Sequence, residues 1–162
     1  MERLKEALSA AGIAYKENEP LCAHCTFRIG GPADLFVLPE NEEQLCAAIR
    51  MAKEAGVKSY LLGNGSNILF EDAGYRGAVI NVSAMKSGIG VIENISFPGK
   101  DPALTYDAVV VGAGQMLSSL CMAALENSLT GLEFAHGIPG TVGGAVYMNA
   151  SAHSQAISDT FK

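Results

Sequence analysis

Residues 33–67 read ADLFVLPENEEQLCAAIRMAKEAGVKSYLLGNGSN, and this stretch indicates the fold class. Its apolar run from Ala33 to Leu38 predicts a strand, and Val57 to Leu62 predicts a second one. Between them, Asn41 with Gln44 three residues later forms a capping-box pattern that predicts the start of a helix. The stretch is therefore predicted to be a strand–helix–strand unit of the right-handed crossover kind, which ends in a glycine-rich loop.

The helices are predicted from apolar residues that recur every three or four positions. The helix that follows Asn41 has its predicted buried face at Leu45, Ile49 and Ala52. A short amphipathic helix is predicted over residues 2–11, and residues 115–127 give the clearest helical pattern. The predicted apolar stripe of that last helix consists of Leu117, Leu120, Cys121, Ala124 and Leu125.

Beyond residue 82 the pattern changes from crossover units to hairpins. Ala78 to Val82 is the last apolar strand of the first part. Ile89 to Ile95 and Leu104 to Val111 predict the two strands of a hairpin, which the turn-forming stretch Pro98 to Pro102 connects. The sequence thus predicts an α/β (α+β) chain with two subdomains, residues 1–82 and 83–162.

Two glycine-rich loops are the candidates for ligand binding. Gly63-Asn64-Gly65-Ser66-Asn67 follows a predicted strand, which is where ligands usually bind in α/β sheets. Its N–H groups and the Ser66 hydroxyl can donate to phosphate oxygens, although its spacing is not that of a P-loop. Gly137 to Gly144 contains four glycines in eight residues, so its backbone can approach a ligand closely. A tight turn explains the first loop equally well on its own, but the two loops together predict a large ligand held at two places.

Composition argues against several classes of partner. The chain has 162 residues, 17% of them charged, a net charge of −6 and no basic run, so neither nucleic acid nor an anionic membrane is an expected partner. No stretch is apolar for long enough to span a bilayer, and charged residues interrupt the N-terminus where a signal peptide would be apolar. We therefore expect a cytoplasmic protein. Arg28 and Arg76 are the candidate anion contacts, and a surface arginine is an equally good interpretation of each.

Other motifs have simpler structural explanations. Cys22-Ala-His-Cys25 lacks the second cysteine pair that a zinc site needs, and Cys46 and Cys121 are expected to be small buried residues of helices. Gly112-Ala-Gly114 lacks the third glycine of a dinucleotide fingerprint and favours a strand-to-helix turn. No nucleophile, carboxylate pair or Ser/His/Asp set is evident, so we assign no catalytic residue and no metal ligand.

An ordered set of motifs resembles one family closely. The set comprises Thr26 to Asp34, Leu62 to Leu69, Gly74 to Gly77, Gly131 to Phe134 and Gly137 to Asn149. It covers nearly the whole chain and is similar to the N-terminal FAD-binding part of the UDP-N-acetylenolpyruvoylglucosamine reductases, also called UDP-N-acetylmuramate dehydrogenases, of bacterial peptidoglycan synthesis.

The resemblance implies a fold, a cofactor and a reaction. The fold would be the two-subdomain FAD-binding module of the vanillyl-alcohol-oxidase type, with noncovalent FAD whose pyrophosphate lies at 63–67 and whose flavin lies along 137–149. Family members pass a hydride from NADPH through FAD to the enolpyruvyl group of a UDP-sugar, and a serine supplies the proton. The implied cofactor-binding residues are Gly63, Asn64, Gly65, Ser66, Asn67, Arg76, Gly137, Ile138, Pro139, Gly140, Val142, Gly143, Gly144 and Asn149.

The chain departs from the family pattern in two respects. The serine, and the arginine and glutamate that assist it, are expected beyond Lys162, so the C-terminal substrate domain is expected to be absent and this chain alone to be inactive. Ser151-Ala152-His153-Ser154 stands where the family usually has glycine, alanine, tyrosine and glycine, within a stretch, 151–162, that is polar and shows no pattern.

Two other functions stay open. One is a standalone, non-catalytic module or decayed fragment that binds FAD or another nucleotide. The other is a flavin oxidase of the same fold. Such oxidases often attach FAD to a histidine in the pyrophosphate loop, and residues 63–67 contain none, which counts against the oxidase.

Overall fold

The computed structural model describes residues 1–85, 88–95 and 105–160. The chain divides into two compact units, Met1–Met85 and Lys86–Lys162. Each unit is built around its own sheet or hairpin, and the two are described one after the other.

The first unit is a four-stranded mixed sheet with two helices. Its elements are α1 (Glu2–Ala10), β1 (Ala14–Pro20), a 3₁₀ turn (Leu21–His24), β2 (Pro32–Leu38), α2 (Glu42–Glu54), β3 (Ser59–Leu62) and β4 (Tyr75–Asn81). The strand order is β1-β2-β4-β3, with β1 antiparallel to β2 and β4 parallel to both of its neighbours. The predicted strand–helix–strand unit is confirmed as β2-α2-β3, and β4 inserts between its two strands.

Helix α2 begins where the capping pattern predicts. The Asn41 side chain accepts a hydrogen bond from the Gln44 N–H at 2.9 Å, and Gln44 Oε1 accepts one from the Glu40 N–H at 2.8 Å. The two side chains thereby satisfy backbone donors that the first turn of a helix leaves open.

The buried face of α2 differs from the prediction. Ala48 and Ala52 are buried, whereas Ile49 is 38% exposed and Cys46 is exposed. The covered edge of the helix runs through Ala48 and Ala52, which belong to the core cluster of the sheet, and Ile49 lies beside that edge. The expectation that Ile49 and Cys46 are buried is therefore wrong.

Both faces of the central strands are covered. Along β2, Leu35 and Val37 belong to the core cluster that also contains Leu4 and Leu8 of α1, while Phe36 belongs to a second cluster with Leu21 and other residues. Successive side chains of a strand point to opposite faces, so β2 separates two cores. This explains the continuous apolar run that predicted β2. Strand β1, which the sequence analysis missed, is an edge strand with mostly exposed and charged residues.

The second unit combines two antiparallel hairpins with three helices. Its elements are β5 (Gly90–Ile95), β6 (Tyr106–Val110), α3 (Leu117–Glu126), a 3₁₀ turn (Glu133–Ala135), α4 (Val142–Met148), β7 (Ser151–Ala152), β8 (Gln155–Ala156) and α5 (Ile157–Thr160). The pairing of β5 with β6 confirms the predicted hairpin. Its predicted connection, Pro98 to Pro102, lies outside the described residues.

Residues 151–160 contradict the expectation of a stretch without pattern. Strands β7 and β8 pair as a tight hairpin whose turn residues, His153 and Ser154, have φ of 52° and 63°. Positive φ at both central residues is typical of a type I′ turn. Ile157, directly after the hairpin, is buried in the core of the second unit.

The buried face of helix α3 differs from the prediction at one position. Leu117, Leu120, Cys121 and Ala124 are buried as predicted, but Leu125 is 68% exposed. The covered stripe is narrower than the apolar pattern because the partner surface ends before Leu125. Within the part of the chain that the structure describes, none of the helices has the length and hydrophobicity of a membrane span.

The corrected stripe of α3 can be tested with two equivalent truncations. Leu120→Ala should lower the free energy of unfolding by about 2–5 kcal/mol, because it leaves a cavity in a packed core. Leu125→Ala should change it by no more than about 0.5 kcal/mol, as for other exposed positions. Urea unfolding of both variants and the wild type measures the difference, and an equal loss for the two would restore the wider stripe.

Candidate functional site

The loop Gly63–Asn67 directly follows β3, and two of its carbonyl groups point into the first unit. The Gly63 carbonyl oxygen accepts a hydrogen bond from Asn81 Nδ2 at 2.9 Å. The Gly65 carbonyl oxygen accepts one from the Thr26 N–H at 3.0 Å. The loop is thus fixed to the protein by its acceptors.

The donors of the same loop are largely unused. The N–H groups of Asn64, Gly65 and Asn67 donate no hydrogen bond to any other residue that the structure describes. Asn64 and Asn67 are exposed. Gly65 itself is buried. Successive N–H groups without a protein acceptor are typical of sites that bind anions such as phosphate. The phosphate cradle stays a prediction with which these contacts are consistent.

Gly65 is required by the protein's own backbone. Its φ is 65°, and a Cβ atom there would collide with the His24 carbonyl oxygen and lie 2.8 Å from the Cys25 Cα. In the structure it is the 3₁₀ turn Leu21–His24 that approaches, so the glycine joins the loop to that turn.

Side-chain contacts fix the turn beneath the loop. The His24 ring stacks on Phe36 with 4.0 Å between the ring centroids, and His24 Nε2 lies 2.9 Å from Glu19 Oε1. Hydrogen bonds from Lys16 and His24 hold the pKa of Glu19 below its ordinary value. The turn is therefore anchored both to the core and to strand β1.

The Cys22-Ala-His-Cys25 motif forms part of this support. The buried Cys25 thiol donates to the Ile29 carbonyl oxygen at 3.3 Å. Among the described residues, no three His, Cys, Asp or Glu side chains lie close enough together to hold a metal ion. Cys25 thus helps to hold the chain that follows the turn.

Arg76 lies at the other end of the parallel strands. Its guanidinium pairs with Asp34 at 2.8 Å and donates to the Pro32 carbonyl oxygen at 2.7 Å, at the start of β2. Asn81, which contacts the loop, is five residues further along β4, or about 16 Å at the rise of an extended strand. The structure does not bring Arg76 and the loop together around a single phosphate.

The second glycine-rich segment, in the other unit, is organised differently. Thr141 caps helix α4, and its hydroxyl accepts a hydrogen bond from the Gly144 N–H at 3.3 Å. The N–H groups of Val142 and Gly143 donate to the carbonyls of Gln115 and Ala113, at 2.8 and 2.9 Å. These two donors bind acceptors of the unit itself, so they are not available to a ligand.

Glycine stands at different positions of this segment for different structural reasons. Gly140 has a φ of 126°, in the region that favours glycine. A Cβ atom on Gly143 would lie 2.8 Å from the Ala113 Cβ, so this glycine lets α4 approach the turn before α3. Gly137 has open space around its Cα, and Gly144 has only the Thr141 hydroxyl nearby, at 3.3 Å. The last two are the glycines whose absent side chains leave room for a ligand.

Asn149 ends α4 in the left-handed conformation, with a φ of 46°. Its Oδ1 accepts a hydrogen bond from the Ser158 N–H at 2.9 Å, so its side chain ties the helix to α5. The remaining predicted residues of the segment, Ile138 and Pro139, are half-buried and exposed respectively.

Two residues that contact the first loop were missed in the sequence analysis as members of the site. Thr26 provides the N–H that binds Gly65, and Asn81 provides the side chain that binds Gly63. The sequence offered an indication for Asn81, which is a polar residue at the end of the apolar run Ala78 to Ile80. In the structure Asn81 is only 5% exposed. A buried amide at that place needs a partner, and the adjacent loop provides it.

Comparisons with known proteins agree on the class of cofactor. A family model described as an FAD binding domain matches residues 33–162. The chain is 41% identical over 164 residues to a UDP-N-acetylenolpyruvoylglucosamine reductase of Anoxybacillus flavithermus, an alignment that covers 100% of this chain and 50% of the relative. The resemblance that the sequence motifs predict is confirmed. The chain spans about half the length of the curated relatives it matches.

Solved structures agree on the fold. A UDP-N-acetylenolpyruvylglucosamine reductase from Thermus caldophilus is 28% identical, with a TM-score of 0.59 over 91% of this chain and 46% of that one. A VAO-type flavoprotein from Myceliophthora thermophila is 16% identical, with a TM-score of 0.51 over 64% of this chain and 18% of that one. The second likeness concerns the fold alone. The predicted FAD-binding module of the vanillyl-alcohol-oxidase type is confirmed.

The role of Gly65 predicts a difference between two glycines of nearly equal φ. Gly12 has a φ of 66° and no atom near a prospective Cβ, whereas Gly65 has a φ of 65° and a backbone in the way. Gly12→Ala should lower the free energy of unfolding by about 1 kcal/mol, the cost of a left-handed side chain. Gly65→Ala should lower it by about 1–3 kcal/mol more, because the turn must move. Urea unfolding of the protein without added ligand makes the comparison, and equal losses would mean that Gly65 is not held against the turn.

Proposed function

This chain belongs to the family of FAD binding domains, and from that premise we propose that it is the FAD-binding part of a UDP-N-acetylenolpyruvoylglucosamine reductase. The proposed reductant is NADPH, and the proposed acceptor is the enolpyruvyl group of the UDP-sugar in peptidoglycan precursor synthesis. Bound FAD would supply the transfer of a hydride between the two. The likeness to curated reductases over the whole of this chain supports the proposal.

The observation that carries FAD binding is the polarity of the loop Gly63–Asn67. The Gly63 and Gly65 carbonyls are held by Asn81 and Thr26, and the N–H groups of Asn64, Gly65 and Asn67 donate to no described residue. The pyrophosphate of FAD is an anion that needs several donors. A protein with a net charge of −6 offers no attractive field for it, so local dipoles must supply the binding energy. The loop is suited to that task.

The other predicted residues would take different parts of the cofactor. In the segment 137–149, Gly137 and Gly144 have open space where side chains would otherwise stand, so this backbone can lie against a flat ring. Arg76, paired with Asp34, would serve only a part of the ligand distant from the loop. The full proposed set is Gly63, Asn64, Gly65, Ser66, Asn67, Arg76, Gly137, Ile138, Pro139, Gly140, Val142, Gly143, Gly144 and Asn149.

We expect the chain to bind FAD noncovalently and more tightly than riboflavin. The loop is the proposed site for the pyrophosphate, which riboflavin lacks. The dissociation constant of FAD should therefore be lower than that of riboflavin by a factor of about ten or more. Titration followed by flavin fluorescence measures both affinities. Denaturation followed by filtration should then release all of the FAD, because residues 63–67 contain no histidine for a covalent bond. Equal affinities would remove the pyrophosphate from the site, and flavin retained on the denatured chain would contradict noncovalent binding.

We expect no coupled turnover from these residues alone. Hydride transfer needs the acceptor held at near-attack distance, which is worth about 7–11 kcal/mol in favourable systems, and an acid that protonates the neighbouring carbon. We assign both tasks to the half of the reductases that these residues do not match. The assay mixes the chain with FAD, NADPH and the enolpyruvyl nucleotide and measures the muramate product against a control without protein.

A second arm of that assay separates the alternatives. The unmatched half of the Anoxybacillus flavithermus relative is expressed separately and added to the chain. Product that appears only after this addition supports the proposed function. FAD binding without product in either arm points to a non-catalytic binding module, and product from the chain alone contradicts the assignment of the catalytic groups to the other half.

A further inference from the structure

Asn81 is a buried polar residue at an apolar position. It is the last residue of β4, where it follows Ala78, Val79 and Ile80, and it is 5% exposed. Burial of an amide costs free energy unless its donors and acceptors find partners. The contacts that Asn81 makes therefore indicate what it does.

Its side-chain amide is held in one orientation. Nδ2 donates to the Gly63 carbonyl oxygen at 2.9 Å, and Oδ1 accepts from the Ser83 N–H at 3.1 Å and from the Ser83 hydroxyl. A carbonyl can only accept and an N–H can only donate. The amide cannot turn over without placing two donors together and two acceptors together.

This contact determines the direction of a backbone donor in the loop. The Gly63 carbonyl and the Asn64 N–H belong to one planar trans peptide group, so they point in opposite directions. Because Asn81 draws the carbonyl toward β4, the Asn64 N–H points away from the sheet. Asn64 is exposed, and its N–H donates to no residue that the structure describes.

We propose that Asn81 is a positioning residue for FAD, which orients the Asn64 N–H toward the pyrophosphate by holding the Gly63 carbonyl. The inference rests on the proposed function of the loop Gly63–Asn67 as the pyrophosphate site. Asn81 does not touch the ligand itself. It acts through one peptide group.

The strands do not need this side chain for their pairing. Leu62 and Asn81 are partners in the parallel ladder of β3 and β4, and the Val82 N–H donates to the Leu62 carbonyl oxygen at 2.9 Å. These backbone bonds would persist with another residue at position 81. The side-chain bond to Gly63 is therefore specific to the conformation of the loop.

The substitution Asn81→Asp tests the proposal by its pH profile. It keeps an acceptor for Ser83 but places a carboxylate oxygen against the Gly63 carbonyl, so at pH 8 the FAD dissociation constant should rise about tenfold or more. On acidification the new carboxyl group takes up a proton and can donate to that carbonyl, and burial raises its pKa into an accessible range. Affinity should then return toward the wild-type value measured at the same pH. The hydrogen-bond partners of Asn81, Gly63 and Ser83, do not titrate themselves.

Two controls separate positioning from a general loss of stability. Leu8→Ala weakens the core on the α1 side of the sheet and should leave the FAD dissociation constant within about twofold of the wild type. Asn81→Ala removes the donor without adding a titratable group, so its loss of affinity should not recover at low pH. If Asn81→Asp does not fold, Asn81→Ala against Leu8→Ala decides the question at one pH.

A readout without ligand distinguishes this inference from the proposed function. The ¹⁵N–¹H resonance of Asn64 should shift in the ligand-free Asn81→Asp variant and remain in place in Leu8→Ala. An unmoved Asn64 resonance, or wild-type FAD affinity without pH dependence in Asn81→Asp, would overturn the positioning role. If the wild type binds no FAD, the function of the loop is wrong, while the shift of Asn64 still reports whether Asn81 sets its direction.

Discussion

The contact between the Gly65 backbone and the 3₁₀ turn Leu21–His24 is the constraint on which the candidate site depends. The Thr26 N–H binds the Gly65 carbonyl oxygen, and the His24 carbonyl occupies the place where a side chain of residue 65 would stand. Only glycine permits this approach at a φ of 65°. The turn is held in its place by the stacking of His24 on Phe36 and by the contact of His24 with Glu19. The conformation of the loop thus depends on the core of the first unit, because Phe36 holds His24 and the backbone around His24 holds Gly65.

The electrostatic design follows from the acidic character of the chain. With a net charge of −6, the protein gains nothing from long-range attraction of an anionic ligand. Under the proposed function the loop would compensate locally, because the Gly63 and Gly65 carbonyls are bound within the protein and the N–H groups of Asn64, Gly65 and Asn67 donate to no described residue. Once its peptide plane is fixed, a backbone N–H group needs little further free energy to stay oriented toward a ligand. Asn81 and Thr26 each fix one such plane from the protein side.

The two glycine-rich segments use glycine for different purposes, although they look alike in the sequence. In the first, the N–H groups of Asn64, Gly65 and Asn67 have no acceptor among the described residues. In the second, the N–H groups of Val142 and Gly143 bind the turn before α3, and Gly143 permits the close approach of that turn. Within the second segment, Thr141 caps helix α4, and Gly137 and Gly144 are the glycines with open or nearly open space where a side chain would stand.

The features that depend on residues close together in the sequence could be predicted before the structure was known. The capping pair Asn41 and Gln44, the crossover unit β2-α2-β3 and the hairpin of β5 with β6 arise from local preference and apolar periodicity, and all of them were predicted. The motif set also predicted an FAD-binding domain through its resemblance to a family. Which edge of each helix is covered depended on tertiary packing, as the exposed Ile49 and Leu125 show. The tertiary structure likewise decided that β1 is a strand and that Asn81, Thr26 and His24 support the loop. These outcomes depend on which distant segment provides a partner surface or a hydrogen-bond acceptor, and the periodicity of one segment carries no information about the surface of another.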